Sequence, residues 1–344
     1  MFVFSGSQLI KTSVRFGLAA LFCAAVLLSG STAVSAQDDI LRTDTSLVQL
    51  NVGVVDRQGR PITSLSQVDF AIYEDDVKRP IVAFEPTQAP FSLVMLLDMS
   101  GSTVNFRQQI QQAAIRFLDA LAPEDRVSVI VFNGKGVREL AGFTTDRSKT
   151  AYAITLATGS GDTLLFDGLK ESLRKLSAEG KRRKAIVALT DGLDTEVRKS
   201  DRAAVAKATE VEVSTVIKPE AASALSSVLA DADRQGVTIF PLALPSGDPK
   251  RLPLPDPRII AQYSAARRRL QMMADRTGGQ VSDIRRLDQM ARVYAELAAH
   301  LRTLYSIAYQ APNPDRRDGQ WRAIRVDVTR PDLIAKTKTG YYAK

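Results

Sequence analysis

Cysteine is almost missing from this chain. The single one, Cys23, lies inside the apolar stretch FGLAALFCAAVLL, Phe16 to Leu28. A chain without further thiols has neither a disulfide framework nor a cysteine zinc site. Histidine is as scarce: His300 stands alone, which weakens every zinc or histidine-triad reading, and it sits on the shoulder of a helical stripe as a flank residue. A phosphate loop would need GxxxxGK[ST], and GSGDT and NGKG are only fragments of it. Aromatic residues make up 6% of the chain, and none interleaves with its short basic runs KRRK (Lys181 to Lys184) and RRR (Arg267 to Arg269). These runs therefore read as a solvated loop and a helix face, not as a nucleic-acid footprint.

The one long apolar run belongs to the start of the chain. Lys11 and Arg15 precede Phe16–Leu28, and small residues lead to Gln37. This is the layout of a secretory signal over residues 1–36, cut after Ala36. The run is shorter than the roughly 20 residues a spanning helix needs, although an uncleaved anchor is the alternative. The expected location is periplasmic, cell-surface or secreted, with no membrane span in the mature chain. The signal carries two of the +8 net charge, leaving +6.

What remains falls into three stretches. In residues 37–89 the period is two: Val48, Leu50, Val52 and Val54 share a face, Gln49, Asn51 and Gly53 the other, and Phe70 and Ile72 alternate again. These are half-buried antiparallel strands. Over 90–303 the pattern changes. SLVMLL, VSVIVF, AIVAL and VTIFPLAL are apolar on both faces, as central parallel strands are, and helical stripes separate them. Pro241 within the last suggests an edge or a bulge. The stripe Leu287, Met290, Tyr294, Leu297, Leu301 and Leu304 predicts one amphipathic helix. Over 304–344 the period of two returns, in Tyr305, Ile307 and Tyr309 and in Ile324, Val326 and Val328. The expected architecture is α/β: a Rossmann-like, doubly wound, mainly parallel sheet inserted into a small β domain built from the two ends. Two separate β appendages fit the same pattern.

Ligands of open parallel sheets bind beyond the carboxyl ends of the strands. Asp98, Ser100 and Ser102, in LLDMSGSTV, follow such an end, with Gly101 allowing the chain to bend. Thr163 in GSGDTLLFDGL precedes a helix, and Asp191 in ALTDGLD follows the strand AIVAL. The set offers only oxygen, two carboxylates and three hydroxyls. Such donors suit a hard divalent cation, magnesium first, with manganese or calcium as the alternatives. Two aspartates balance a divalent charge, so the cation can accept one more carboxylate from outside.

DMSGS, GDT and TDG, in this order and on these elements, resemble the metal-ion-dependent adhesion site of von Willebrand factor A domains. The DxSxS motif of that family maps onto Asp98, Ser100 and Ser102, its threonine onto Thr163 and its second aspartate onto Asp191. FLDALAPEDRVSVIVFN, FTTD and MADRTGGQV extend the resemblance from about Pro90 to Leu304. The flanks, VGVVDRQGRPITSLSQVDFAIYEDDVKRPIVAFE and YSIAYQAPNPDRRDGQWRAIRVDVTRP with a terminal GYY, resemble a narrower group of exported acidobacterial von Willebrand factor A-related proteins. The resemblance implies a non-enzymatic adhesion or assembly module whose partner protein presents a carboxylate to the bound cation. A metal-dependent hydrolase and a structural envelope protein with a vestigial site are the alternatives. Two departures stand out. Asp162 occupies a position where the family often has glycine, and the segment 197–233 is long and close enough to the metal end to shape or cover the site.

Overall fold

The computed structural model describes residues 47–343, apart from 181, 249–255, 285–289 and 313–317. The signal segment 1–36, the chain up to residue 46, Lys181 and Leu287 lie outside the described residues. The N-terminal strands are β1 (Leu47–Asp56), β2 (Phe70–Glu74), β3 (Val77–Arg79) and β4 (Ile81–Glu85). The middle stretch supplies β5 (Phe91–Asp98), β6 (Arg126–Asn133), β7 (Gly136–Thr144), β8 (Arg183–Thr190), β9 (Val237–Ala243) and the two-residue β10 (Ser282–Asp283). Its helices are α1 (Arg107–Asp119), α2 (Arg147–Thr155), α3 (Leu165–Ser177), α4 (Thr195–Lys207), α5 (Ser223–Gln235), α6 (Pro257–Thr277) and α7 (Met290–Leu301). The chain then continues through β11 (Leu304–Gln310), β12 (Trp321–Val328), β13 (Leu333–Lys336) and β14 (Gly340–Tyr342).

The central sheet has the order β10-β9-β8-β5-β6-β7. All its pairings are parallel except that of β7, which closes one edge antiparallel to β6. Every residue of β5 and of β8 is buried, because helices cover both faces and leave no side for polar residues. On one face Leu93, Met95 and Leu97 pack with Ile110 and Phe117 of α1 and Tyr294 and Leu297 of α7. On the other, Val94, Leu96 and Ile186 pack with Leu169 and Leu173 of α3, Val228 of α5 and Leu270 of α6. Successive residues of one strand thus feed opposite cores. Pro241 lies on β9, whose outer side is paired only at Leu242 and Ala243, so its missing N–H falls where the sheet is thinnest. Neither β7 nor α2 carries a period strong enough to be read from the sequence.

The two ends meet in antiparallel sheets. β1 lies between β11 and β13, with β4 beyond β11, and a second sheet has the order β14-β12-β2-β3. The alternating apolar residues explain this pairing: Val48, Leu50, Val52 and Val54 share one core with Ile72, Tyr305, Ile307, Tyr309, Ile324 and Val326. Glu74 of β2 is buried there and accepts hydrogen bonds from Tyr309 of β11 and Tyr341 of β14. The opposite face of β1 is also used, as Asn51 donates to Thr238 of β9.

Three sequence expectations need correction. Arg183 and Lys184 are not in a solvated loop but buried on β8. The Arg183 guanidinium lies over the Phe91 ring, 3.9 Å from its centroid, and donates to the carbonyls of Thr87, Ala89, Leu301 and Leu304. It therefore holds both connections between the central sheet and the β strands of the chain ends. Arg269 is not on a solvated helix face either: it is buried in a bidentate pair with Asp201, both bonds 2.7 Å long. Finally, Leu304 opens β11 instead of closing α7, because the helix stops at Leu301.

Candidate functional site

Asp98 ends the central strand β5, flanked by β6 and β8. It is fully buried. Leaving the sheet, the chain is held against β6 by Met99 N–H donating to the Phe132 carbonyl (3.0 Å). Ser100 is still extended, and a tight helical turn follows over Gly101–Phe106. The Thr103 hydroxyl folds this turn back by donating to the carbonyls of Asp98 (2.9 Å) and Ser100 (3.1 Å). The hydroxyl oxygens of Ser100 and Ser102 come within 3.1 Å of each other.

Asp191 follows β8. Leu97 pairs with Leu189 across the β5–β8 ladder, so Thr190 and then Asp191 stand beside Asp98. The Thr190 hydroxyl donates to Asp98 Oδ2 at 2.8 Å, and Ser100 N–H donates to Asp98 Oδ1 at 3.0 Å. Asp191 accepts from Leu193 N–H (3.0 Å) and from the side chain of Ser102. The sharp turn after Asp191 needs Gly192, whose φ is +83°. A Cβ there would also lie 2.8 Å from Leu270.

Thr163 is buried in the third loop. That loop is pinned to the first where Gly101 N–H donates to the Gly161 carbonyl (2.9 Å). Thr163 is also locked to the start of α4: its N–H donates to the Thr195 hydroxyl, and Thr195 N–H donates to its carbonyl, both at 2.9 Å. Asp98, Ser100, Ser102 and Asp191 thus interact through their side chains, whereas Thr163 itself bonds to Thr195 and only its loop, through Gly161, is tied to Gly101. Asp194 caps α4 by accepting from Glu196 and Val197 N–H, and it also accepts from Phe166 N–H at the start of α3. It serves as a brace between two helix N-termini. The segment 197–233 forms the rest of α4, an irregular connection over 208–222 that includes the tight turn Pro219–Ala221, and most of α5, and its Val205, Val213 and Ile217 pack on Ala261 and Ala265 of α6.

The electrostatics are set by burial. Desolvation, then the neighbouring charge of Asp191, pushes Asp98 up to about 7, against the pull of Ser100 and Thr190. Asp191 is also raised, by burial first, with Ser102, Leu193, Ser246 and Arg198 acting in the opposite sense. Two desolvated carboxylates side by side, hydrogen-bonded by hydroxyls and backbone N–H groups, need a proton or a cation. The donor set fits a hard divalent ion: oxygen only, with two negative charges. Among the described residues there is no group of three or more His, Cys, Asp and Glu side chains that could hold a metal, so a cation here would rest on two carboxylates and the hydroxyls. Thr190, Thr103 and Thr195 were not singled out in the sequence. Thr190 adjoins Asp191, but its role depends on the β5–β8 register.

Residues 93–193 match the von Willebrand factor type A domain family. No curated protein matches the chain. Among solved structures, a von Willebrand factor type A protein from Catenulispora acidiphila is 14% identical, with 88% of this chain and 64% of that one covered and a TM-score of 0.44. The pilus adhesin SpaC from Lactobacillus rhamnosus GG is 12% identical, covering 80% of this chain and 47% of that one at a TM-score of 0.45. The von Willebrand factor domain of the type V pili tip protein Mfa5 from Porphyromonas gingivalis is 14% identical, covering 61% and 94% at 0.44. This chain therefore spans less than two thirds of the first of these proteins and about half of the second.

Proposed function

The chain carries a von Willebrand factor type A domain, and from that premise we propose that it is an exported, non-enzymatic binding module that grips a carboxylate of a partner protein through a divalent cation. The supporting observation is the pair of buried aspartates, Asp98 and Asp191, whose charges are met by neutral donors at the carboxyl edge of the central sheet. Asp98 and Asp191 would supply the charge, and Ser100, Ser102 and Thr163 the remaining oxygens. A bound cation would supply an electrophilic centre for an outside acid. The chain's own part is rigidity: Thr103, Thr190 and Thr195 fix the three loops before any ligand arrives. Pre-organisation of this kind lowers the ordering cost of binding. The signal-like segment 1–36 supports export, and no helix among the described residues is long and apolar enough to cross a membrane.

The test is calorimetry with magnesium. The wild type binds about one ion and Asp98→Ala binds none, while circular dichroism of the two is the same. Magnesium binding by Asp98→Ala at wild-type affinity would refute the assignment.

A further inference from the structure

Beside the Asp98 loop lies a pocket of about 360 Å³, lined among others by Asn133, Lys135, Arg138, Thr158, Gly159 and Ser160. It shares a wall with the candidate site. The Gly134 N–H donates to the Ser160 carbonyl, and one residue further on Gly161 holds Gly101. Packing is so close that a Cβ on Gly159 would lie 2.4 Å from the Met99 carbonyl oxygen. The pocket is also rigid: Asn133 is buried, its amide donates to the Thr158 carbonyl, and its oxygen accepts from Lys135 N–H.

Its charge is unanswered. Nearby cations have acids: Lys175 pairs with Glu139, and Arg126 with Glu179. Lys135 and Arg138 are exposed and have no carboxylate partner among the described residues. Two half-buried cations flank the loops as well. Arg107 reaches only the Ser100 carbonyl, at 3.5 Å, while Arg198 lies over the Tyr263 ring and faces Asp191 from a distance; the Nε of each is buried without a partner. Asp162, the acid of the adjoining loop, is exposed beside Gly134; Lys199 is paired with Glu196, and the Asp162 charge is only the smallest of the influences on it. The rim of the candidate cation site is therefore basic on several sides, which is complementary to more than one acid.

We infer that the partner presents a polyacidic peptide segment: one carboxylate goes to the cation site, and a second enters the adjoining pocket between Lys135 and Arg138. This rests on the proposed cation-dependent grip and names the partner's chemistry. Glycine-serine peptides carrying one aspartate, and matched peptides with a second aspartate at successive positions further along, are the probes. They are titrated into the full mature chain with excess magnesium, and into Lys135→Ala/Arg138→Ala. One of the diacid spacings binds wild type roughly fivefold tighter than the monoacid, the scale of one or two wet ion pairs. The double variant loses that preference but retains the monoacid affinity and magnesium binding, and Lys135→Arg retains the preference. Equal binding of all peptides by wild type, no peptide binding to the magnesium-loaded chain, or an undiminished preference in the double variant would each overturn the inference. So would tighter binding of a single-stranded oligonucleotide of equal charge, which would replace the peptide with a nucleic acid. Failure of the underlying grip is read separately, from peptide-free magnesium calorimetry.

Discussion

Asp98 is held by Ser100 and Thr190, and neither donor carries a charge. Burial raises the Asp98 carboxyl from 3.8 to about 7, so replacing it by its neutral isostere removes a desolvation cost on the order of a few kcal/mol near neutral pH. Asp98→Asn is expected to raise cation-free stability by that order in urea unfolding near neutral pH, while magnesium no longer shifts its transition. A cation-free loss of stability would show that the ionised group is structural. His300 supplies a second prediction. It meets Phe240 edge-on and is pushed below its ordinary value of 6.5, by burial first and by Lys336 second. The unfolded chain takes up this proton before the folded one. The contribution is therefore whole above about pH 6.5 and declines as pH falls through the folded-state value, with a slope of at most about 1.4 kcal/mol per pH unit. As the sole histidine, its ring proton is followed by NMR without assignment, and a midpoint at or above 6.5 would contradict the burial argument. Residues such as Asp98 and Asp191 were legible because their spacing and position after apolar strands carry a signature. Arg183 and Arg269 were not, since a cation inside a protein is defined by carbonyls and acids remote in sequence.

The helix pair α4 and α6 is tied by the Arg269–Asp201 ion pair. α4 matters to the site because Asp194 and Thr195 at its start hold the Thr163 loop. Breaking a buried pair from one side leaves an unmatched charge and costs about 3–5 kcal/mol, whereas replacing both partners by apolar residues is close to neutral. Arg269→Met is therefore expected to lose that amount in urea unfolding, and Arg269→Met/Asp201→Leu to recover most of it; additive losses would contradict the coupling. At this scale the sequence was legible wherever a period was sustained. The apolar strands β5, β6, β8 and β9 and the stripes of α1 and α3 stand in the structure as their patterns predicted. β7 and α2 escaped because their burial is scattered along partly exposed elements.

Across the whole molecule, the N-terminal strands are completed by the C-terminal ones. β1 has β11 and β13 as its neighbours, and β2 has β12 and β3. Residues 47–89 alone would keep the apolar face of β1 but lose both its partners. That segment is expected to show no cooperative unfolding transition by circular dichroism; a folded, cooperative peptide would separate it from the C-terminal strands. Arg183 extends the same logic, since it binds the carbonyls on both chain crossings at the base of the central sheet.

By itself the sequence determined the layered parallel core, the β character of both ends and the Asp98, Ser100 and Ser102 motif at a strand end, because hydrophobic period and motif spacing are local properties. Only the tertiary structure decided that the two ends pair with each other, that Thr190 is the residue beside Asp98, and that two arginines of apparently surface runs are interior. Each of these depends on contacts between distant segments: Arg183 and Leu304, for example, are 121 positions apart. No local pattern encodes the energy of bringing such groups out of water together.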